Sequence, residues 1–260
     1  MELSFQESAI AELNNLASSD RHSVLIEGPS GCGKTYLSRM YGKLLKVSDF
    51  LIIQPNVQSI RDALDASINL NHPTLFCIEN LDSGVLAVSY ALLKFLEEPT
   101  SKVYIIVTCK SRFNIPETII SRSVCVSINT PILSDVNSYA ESQDPVKYNQ
   151  LKTLSVWKGV RSLLDVDYVF KLKPEQIGYY KDAKSMLNLR DSISSCVWKL
   201  SHYPDGSEAD ARFVLNYLFG ITRQERLKQH IISCLNDLST SRFSQHAILS
   251  KFLFDYKYGE

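Results

Sequence analysis

The chain has 260 residues, 45% hydrophobic and 22% charged, enough for a full core in one domain with smaller ones attached. Lys plus Arg number 28, as do Asp plus Glu, so no global positive field points to nucleic acid and any such contact must be a local patch. The six cysteines, Cys32, Cys77, Cys109, Cys125, Cys196 and Cys234, show neither a C-x-x-C pair nor clustering with histidine, which argues against zinc and for a reducing, cytoplasmic setting. No apolar run reaches the roughly 18 residues of a membrane span, and the N-terminus lacks a basic and apolar leader.

Ser4 and Glu7 have capping-box spacing, and Phe5, Ala9, Leu13 and Leu16 recur at helical intervals, which predicts an opening amphipathic helix. The apolar runs Val24 to Ile26, Phe50 to Ile53, Leu75 to Ile78, Val103 to Val107 and Val124 to Ile128 predict five buried strands. Helical patterns lie between them at Tyr36 to Leu45, Ser59 to Ile68 and Leu86 to Glu97, the alternation of a parallel sheet covered on both faces. Beyond Pro131 the pattern is helical: Leu151 to Val169, Tyr179 to Leu200, Ala209 to Phe219, Arg223 to Leu238 and His246 to Phe254. The expected class is α/β with a five-stranded parallel sheet over 1–130, a small helical lid over 131–173 and an all-helical domain over 174–260.

Gly28-Pro29-Ser30-Gly31-Cys32-Gly33-Lys34-Thr35 matches G-x-x-x-x-G-K-[ST] between a predicted strand and a predicted helix. The glycines let backbone N–H groups turn inward around phosphate oxygens, and the helix N-terminus adds partial positive charge. Lys34 would reach the β- and γ-phosphates of ATP and Thr35 would ligate Mg²⁺. A second metal-holding group is needed at the end of a neighbouring strand, and Glu79 is best placed for it. Asp82 competes, although its position also suits the N-cap of the following helix.

Tyr90-Ala91-Leu92-Leu93-Lys94-Phe95-Leu96-Glu97-Glu98-Pro99 resembles the A-L-L-K-x-L-E-E-P signature of clamp-loader subunits. Asn114-Ile115-Pro116-Glu117-Thr118-Ile119-Ile120-Ser121-Arg122-Ser123 resembles the P-x-T-I-x-S-R-C segment of the same family. Asn56 to Leu64 is similar to the bacterial members' segment before the acidic strand. The resemblance, to the gamma and delta-prime subunits of bacterial DNA polymerase III and more distantly to replication factor C small subunits, covers about residues 1–170. It implies an AAA+ domain with a helical lid and a C-terminal oligomerisation collar.

The resemblance puts Glu79 in the Walker B place and Asn80 where a glutamate activates water. An amide orients a water but cannot take its proton, which removes help worth about 10²- to 10⁴-fold. It implies that Arg122 is an arginine finger reaching a neighbour's site, that Thr108 touches the γ-phosphate or its attacking water, and that Arg161, in Trp157 to Asp165, reaches back from the lid. Implied partners are other clamp-loader subunits, a sliding clamp and primer-template DNA, with Arg61, Lys110 and Arg112 as candidate backbone contacts. The C-terminal aromatics, among them Trp198, Tyr203, Phe213, Tyr217, Phe243 and Phe252, are core or collar interface.

The family's zinc module after the P-loop helix is missing, since Lys46 is followed almost at once by Asp49, which fits a reduced, virus-encoded loader working in a host cytoplasm. Three alternatives accompany the ATP-binding loader subunit. One is a non-hydrolysing, delta-prime-like scaffold that donates Arg122; the others are a helicase-loading AAA+ protein and a small-metabolite P-loop kinase.

Overall fold

The five apolar runs are strands in the computed structural model, which describes residues 4–19, 21–83, 86–97, 102–180, 192–204, 206–240 and 244–258. They are β1 (Ser23–Glu27), β2 (Asp49–Ile53), β3 (Thr74–Ile78), β4 (Val103–Cys109) and β5 (Val124–Ser127). All pair in parallel, in the order β2-β3-β4-β1-β5, so β1 lies between two strands that come much later in the chain. Parallel neighbours need crossovers, and the helices that make them are α2 (Lys34–Leu44), α3 (Val57–Ser67), α4 (Leu86–Glu97) and the single turn α5 (Glu117–Ile120), while α1 (Glu7–Ala17) precedes the first strand.

Because side chains alternate along a strand, β1 feeds two cores at once. Leu25 packs on one face with Phe76, Phe95 and Ile60 of β3, α4 and α3, while Val24 and Ile26 pack on the other with Leu37, Tyr41 and Leu13 of α2 and α1. Phe76 and Phe95, both about fully buried, meet edge to face at 5.1 Å. Burying a side chain of that size contributes about 1.5–3 kcal/mol. The three inner strands are covered on both sides, as their uninterrupted apolar runs predict. The edge strands β2 and β5, also expected to be buried, are not, because each has a neighbour on one side only.

Two compact units divide at Pro131, Met1–Pro131 and Ile132–Glu260. A further division of the second at residue 173 stands as a proposal. In the second unit α6 (Leu133–Gln143), α7 (Pro145–Leu151), α8 (Leu163–Lys171) and α9 (Pro174–Tyr179) are followed by helices Ile193–Ser201, Ala211–Ile221, Glu225–Thr240 and Gln245–Tyr258. The helix expected over Leu151 to Val169 is interrupted: α7 stops at Leu151, a 3-10 turn spans Ser155–Gly159, and α8 begins afresh at Leu163. The new start is made by Ser162, whose hydroxyl accepts from Asp165 N, and by Asp165, whose carboxylate accepts from Ser162 N at 2.8 Å.

Two other expectations change. Helix α1 begins at Glu7 after a 3-10 turn over Ser4–Gln6, and the residue before it, Gln6, makes no capping bond; its side chain is spent elsewhere. Asp82 lies in a 3-10 turn over Leu81–Ser83 and accepts from Lys110 N at 3.0 Å, so it secures the end of β4. Residues 181–191 of the helix expected over Tyr179 to Leu200, Phe243, and Glu98 and Pro99 of the first signature lie outside the described residues.

Candidate nucleotide-binding site

Strand β1 ends at Glu27, and the loop Gly28 to Gly33 carries the chain into α2. Gly28 N donates to Cys109 O at 3.1 Å, which ties the start of the loop to the end of β4. A Cβ on Gly28 would lie 2.4 Å from Ile128 Cγ1, so only glycine lets the loop pass. Gly31 and Gly33 have φ of 75° and 100°, the left-handed region that turns consecutive N–H groups toward one point.

Lys34 opens α2 and is 8% exposed. Its ammonium donates to Gly28 O at 2.5 Å and Pro29 O at 2.7 Å, two of its three N–H bonds, so the head is fixed at the base of the loop with one donor left for a ligand oxygen. Burial pushes its pKa below the ordinary lysine value, partly offset by Cys32, Asp82 and Cys109 nearby. Cys32 is fully buried, and burial raises its thiol pKa, so it acts as loop packing.

Thr35 Oγ1 donates to Glu79 Oε1 at 2.5 Å, across from α2 to the end of β3. Hydroxyl and carboxylate therefore aim at one point beside the loop, and this oxygen pair suits a Mg²⁺ held further by waters and phosphate oxygens. The next residue, Asn80, has φ 53°, a conformation asparagine tolerates better than most residues, and its N–H donates to Thr108 Oγ1 at 3.0 Å. Thr108, 1% exposed at the end of β4, thus joins the acidic strand to its neighbour through the Asn80 backbone. Glycine loop, Lys34, Thr35, Glu79, Asn80 and Thr108 come together at the carboxyl ends of β1, β3 and β4, beside the strand where the sheet order reverses.

Arg122 is elsewhere, exposed just after α5, with Nη2 2.8 Å from Glu97 Oε1 and Nη1 donating to Thr118 O at 2.9 Å. Arg161 belongs to the second unit. It precedes α8 and is not carried by a helix; its N–H donates to Asp165 Oδ2 and its guanidinium to Val160 O. Arg112 is paired with Glu27, Nε to Oε2 at 3.2 Å, while Arg112 N donates to Glu27 Oε1 at 2.9 Å.

Two supporting residues carry no motif. The amide of Gln6, 1% exposed, donates to Asn129 O at 2.8 Å and more weakly to Cys32 O at 3.4 Å, and Asn129 N donates back at 2.9 Å. It clamps the phosphate loop to the exit of β5. Glu27 ends β1 and holds the turn over Arg112–Asn114 with both carboxylate oxygens. A glutamine near a helix start and a glutamate before a glycine carry no sequence signal of either contact.

The phosphate loop on a five-stranded parallel sheet, followed by helices, is an AAA+ fold. Residues 44–132 match the family model described as DNA polymerase III, delta subunit. A gamma subunit-related protein of DNA polymerase III from Thermotoga maritima superposes with a TM-score of 0.57 at 17% identity, covering 96% of this chain and 98% of that one. The RuvB Holliday junction branch migration motor of Thermotoga maritima superposes with a TM-score of 0.52 at 12% identity, covering 96% and 83%. No curated protein matches by sequence. The fold is shared with these proteins over nearly the whole chain, and residues 44–132 carry the similarity to the DNA polymerase III delta subunit family.

Proposed function

We propose that the chain is the ATP-binding subunit of a DNA-replication clamp loader, which helps to place a sliding clamp on primer-template DNA and hydrolyses ATP only within its assembly. The observation that carries this reading is the ordered cradle: Lys34 anchored on two loop carbonyls, with Thr35 and Glu79 converging on one point. In it Gly28, Pro29, Ser30, Gly31, Cys32 and Gly33 wrap the phosphates, Lys34 neutralises the β- and γ-oxygens, and Thr35 and Glu79 hold Mg²⁺, whose bound form supplies further charge neutralisation on the phosphates. Asn80 and Thr108 orient water near the γ-phosphate. Arg161 contributes from the lid.

Calorimetry of the isolated chain tests the reading: wild type binds Mg-ATP, and Lys34→Ala does not. Absence of wild-type binding sinks it. Asn80 favours a second reading, a delta-prime-like scaffold whose own site is silent and whose Arg122, released from Glu97, serves a neighbour's site. The readings part on Asn80→Glu. In the assembled loader this substitution raises DNA-stimulated hydrolysis by about 10²- to 10⁴-fold if the site is a working one lacking only its base. It changes nothing if the site is silent, whereas Arg122→Ala then lowers the neighbour's turnover.

A further inference from the structure

The corner between the end of α2 and the start of β2 takes no part in the cradle. It contains a groove of about 440 Å³ lined by Tyr36, Arg39, Met40, Lys43, Val47 and Phe50. Arg39 and Lys43 are one helical turn apart, and Lys46 follows at the next turn; all three are exposed. No Asp or Glu occurs between Gly28 and Ser48 in a chain whose net charge is zero, and the first acid after it, Asp49, is bonded to His72 at 2.5 Å. Arg39 stands over the Phe50 ring at 4.6 Å, so its guanidinium is held at the groove wall.

Beside this groove runs an open sheet edge. Strand β2 pairs with β3 on one side only, which leaves a row of backbone N–H and C=O groups on the other. Its consecutive residues Leu51 and Ile52 point to opposite faces and are 41% and 40% exposed, although the three inner strands β1, β3 and β4 are largely buried. An edge that is apolar on both faces and lies next to unopposed cations asks for an occupant with backbone hydrogen bonds, apolar side chains and negative charge together. A nucleic acid supplies the charge but has neither strand-forming amides nor aliphatic side chains.

We propose that the β2 edge and the α2 groove dock an extended acidic segment of a partner protein. The segment adds to β2 as a parallel or antiparallel strand, seats an apolar side chain against Met40, Val47 and Phe50, and sets carboxylates on Arg39 and Lys43. The proposal is independent of nucleotide binding by the cradle.

Fluorescence anisotropy of the full chain with a short fluorescein-labelled peptide, in which aspartates alternate with leucine and phenylalanine, tests it. Wild type binds saturably. R39E/K43E, two changes at exposed positions whose unaltered fold is verified by circular dichroism, weakens binding at least about tenfold. N-methylation of alternate peptide amides removes binding by deleting the strand hydrogen bonds, and so does replacing aspartate by lysine. No wild-type binding, equal affinity for R39E/K43E, or full affinity of the N-methylated peptide overturns the proposal. So does displacement of the peptide by an oligothymidylate that binds more tightly, which assigns the corner to nucleic acid. Calorimetry with Mg-ATP on R39E/K43E reports the cradle separately.

Discussion

Lys34 concentrates the chemistry of the chain in one ammonium. Burial lowers its pKa, so the unfolded chain holds that proton more tightly than the folded one. The stability cost of the buried charge is full below the folded pKa and is relieved as pH rises from there through the unfolded value. Phosphate affinity runs the other way, since it needs the charged form. Mg-ATP binding by calorimetry is therefore expected to fall as pH rises, with a midpoint below that of an ordinary lysine. Lys34→Arg, which stays protonated, moves the fall to higher pH or removes it. The residues on which this rests were legible in sequence because glycine, lysine and threonine at those spacings have few other uses. Asn80 was legible as a substitution but not as a backbone in the left-handed region held by Thr108. A dihedral angle leaves no mark on a residue that tolerates several.

Strands and crossover helices of the first unit were readable because each buried strand is a short, uninterrupted apolar run. In the second unit periodicity ran through the breaks, and the expected helix over Leu151 to Val169 became two helices and a turn. What breaks the helical run there is the local Ser162–Asp165 capping box, held in place by a tertiary ion pair. Asp165, with no exposure, accepts from Arg161 N, Ser162 N and Ser162 Oγ and pairs with Arg212 at 2.7 Å, so one carboxylate starts α8 and ties it to helix Ala211–Ile221. The following glycine constraint has the same origin: a Cβ on Gly220 would lie 2.3 Å from Lys158 O. Asp165→Ala is expected to destabilise the second unit by about 3–5 kcal/mol, because it leaves two N–H groups without their acceptor and the Arg212 guanidinium with only its longer contact to Asp210 at 4.0 Å. Chemical denaturation of wild type and variant checks it.

At the scale of the molecule, the sheet alternation and paired signatures located the class of fold, while the links that join one part of the cradle to another were invisible. Gln6 reaches Asn129 and Glu27 reaches Arg112, each across a separation that no local pattern encodes. The strand order adds a consequence in time. Strand β1, which delivers the phosphate loop, pairs only with β4 and β5, whose residues emerge some 80 to 100 positions later. A nascent chain therefore holds its loop sequence long before it can hold the loop, and contacts of such separation fold slowly. A fragment ending at residue 101 is expected to show no cooperative unfolding by circular dichroism, whereas one ending at residue 131 does. Ligand cannot rescue the shorter fragment, because the surface that would bind it is completed last.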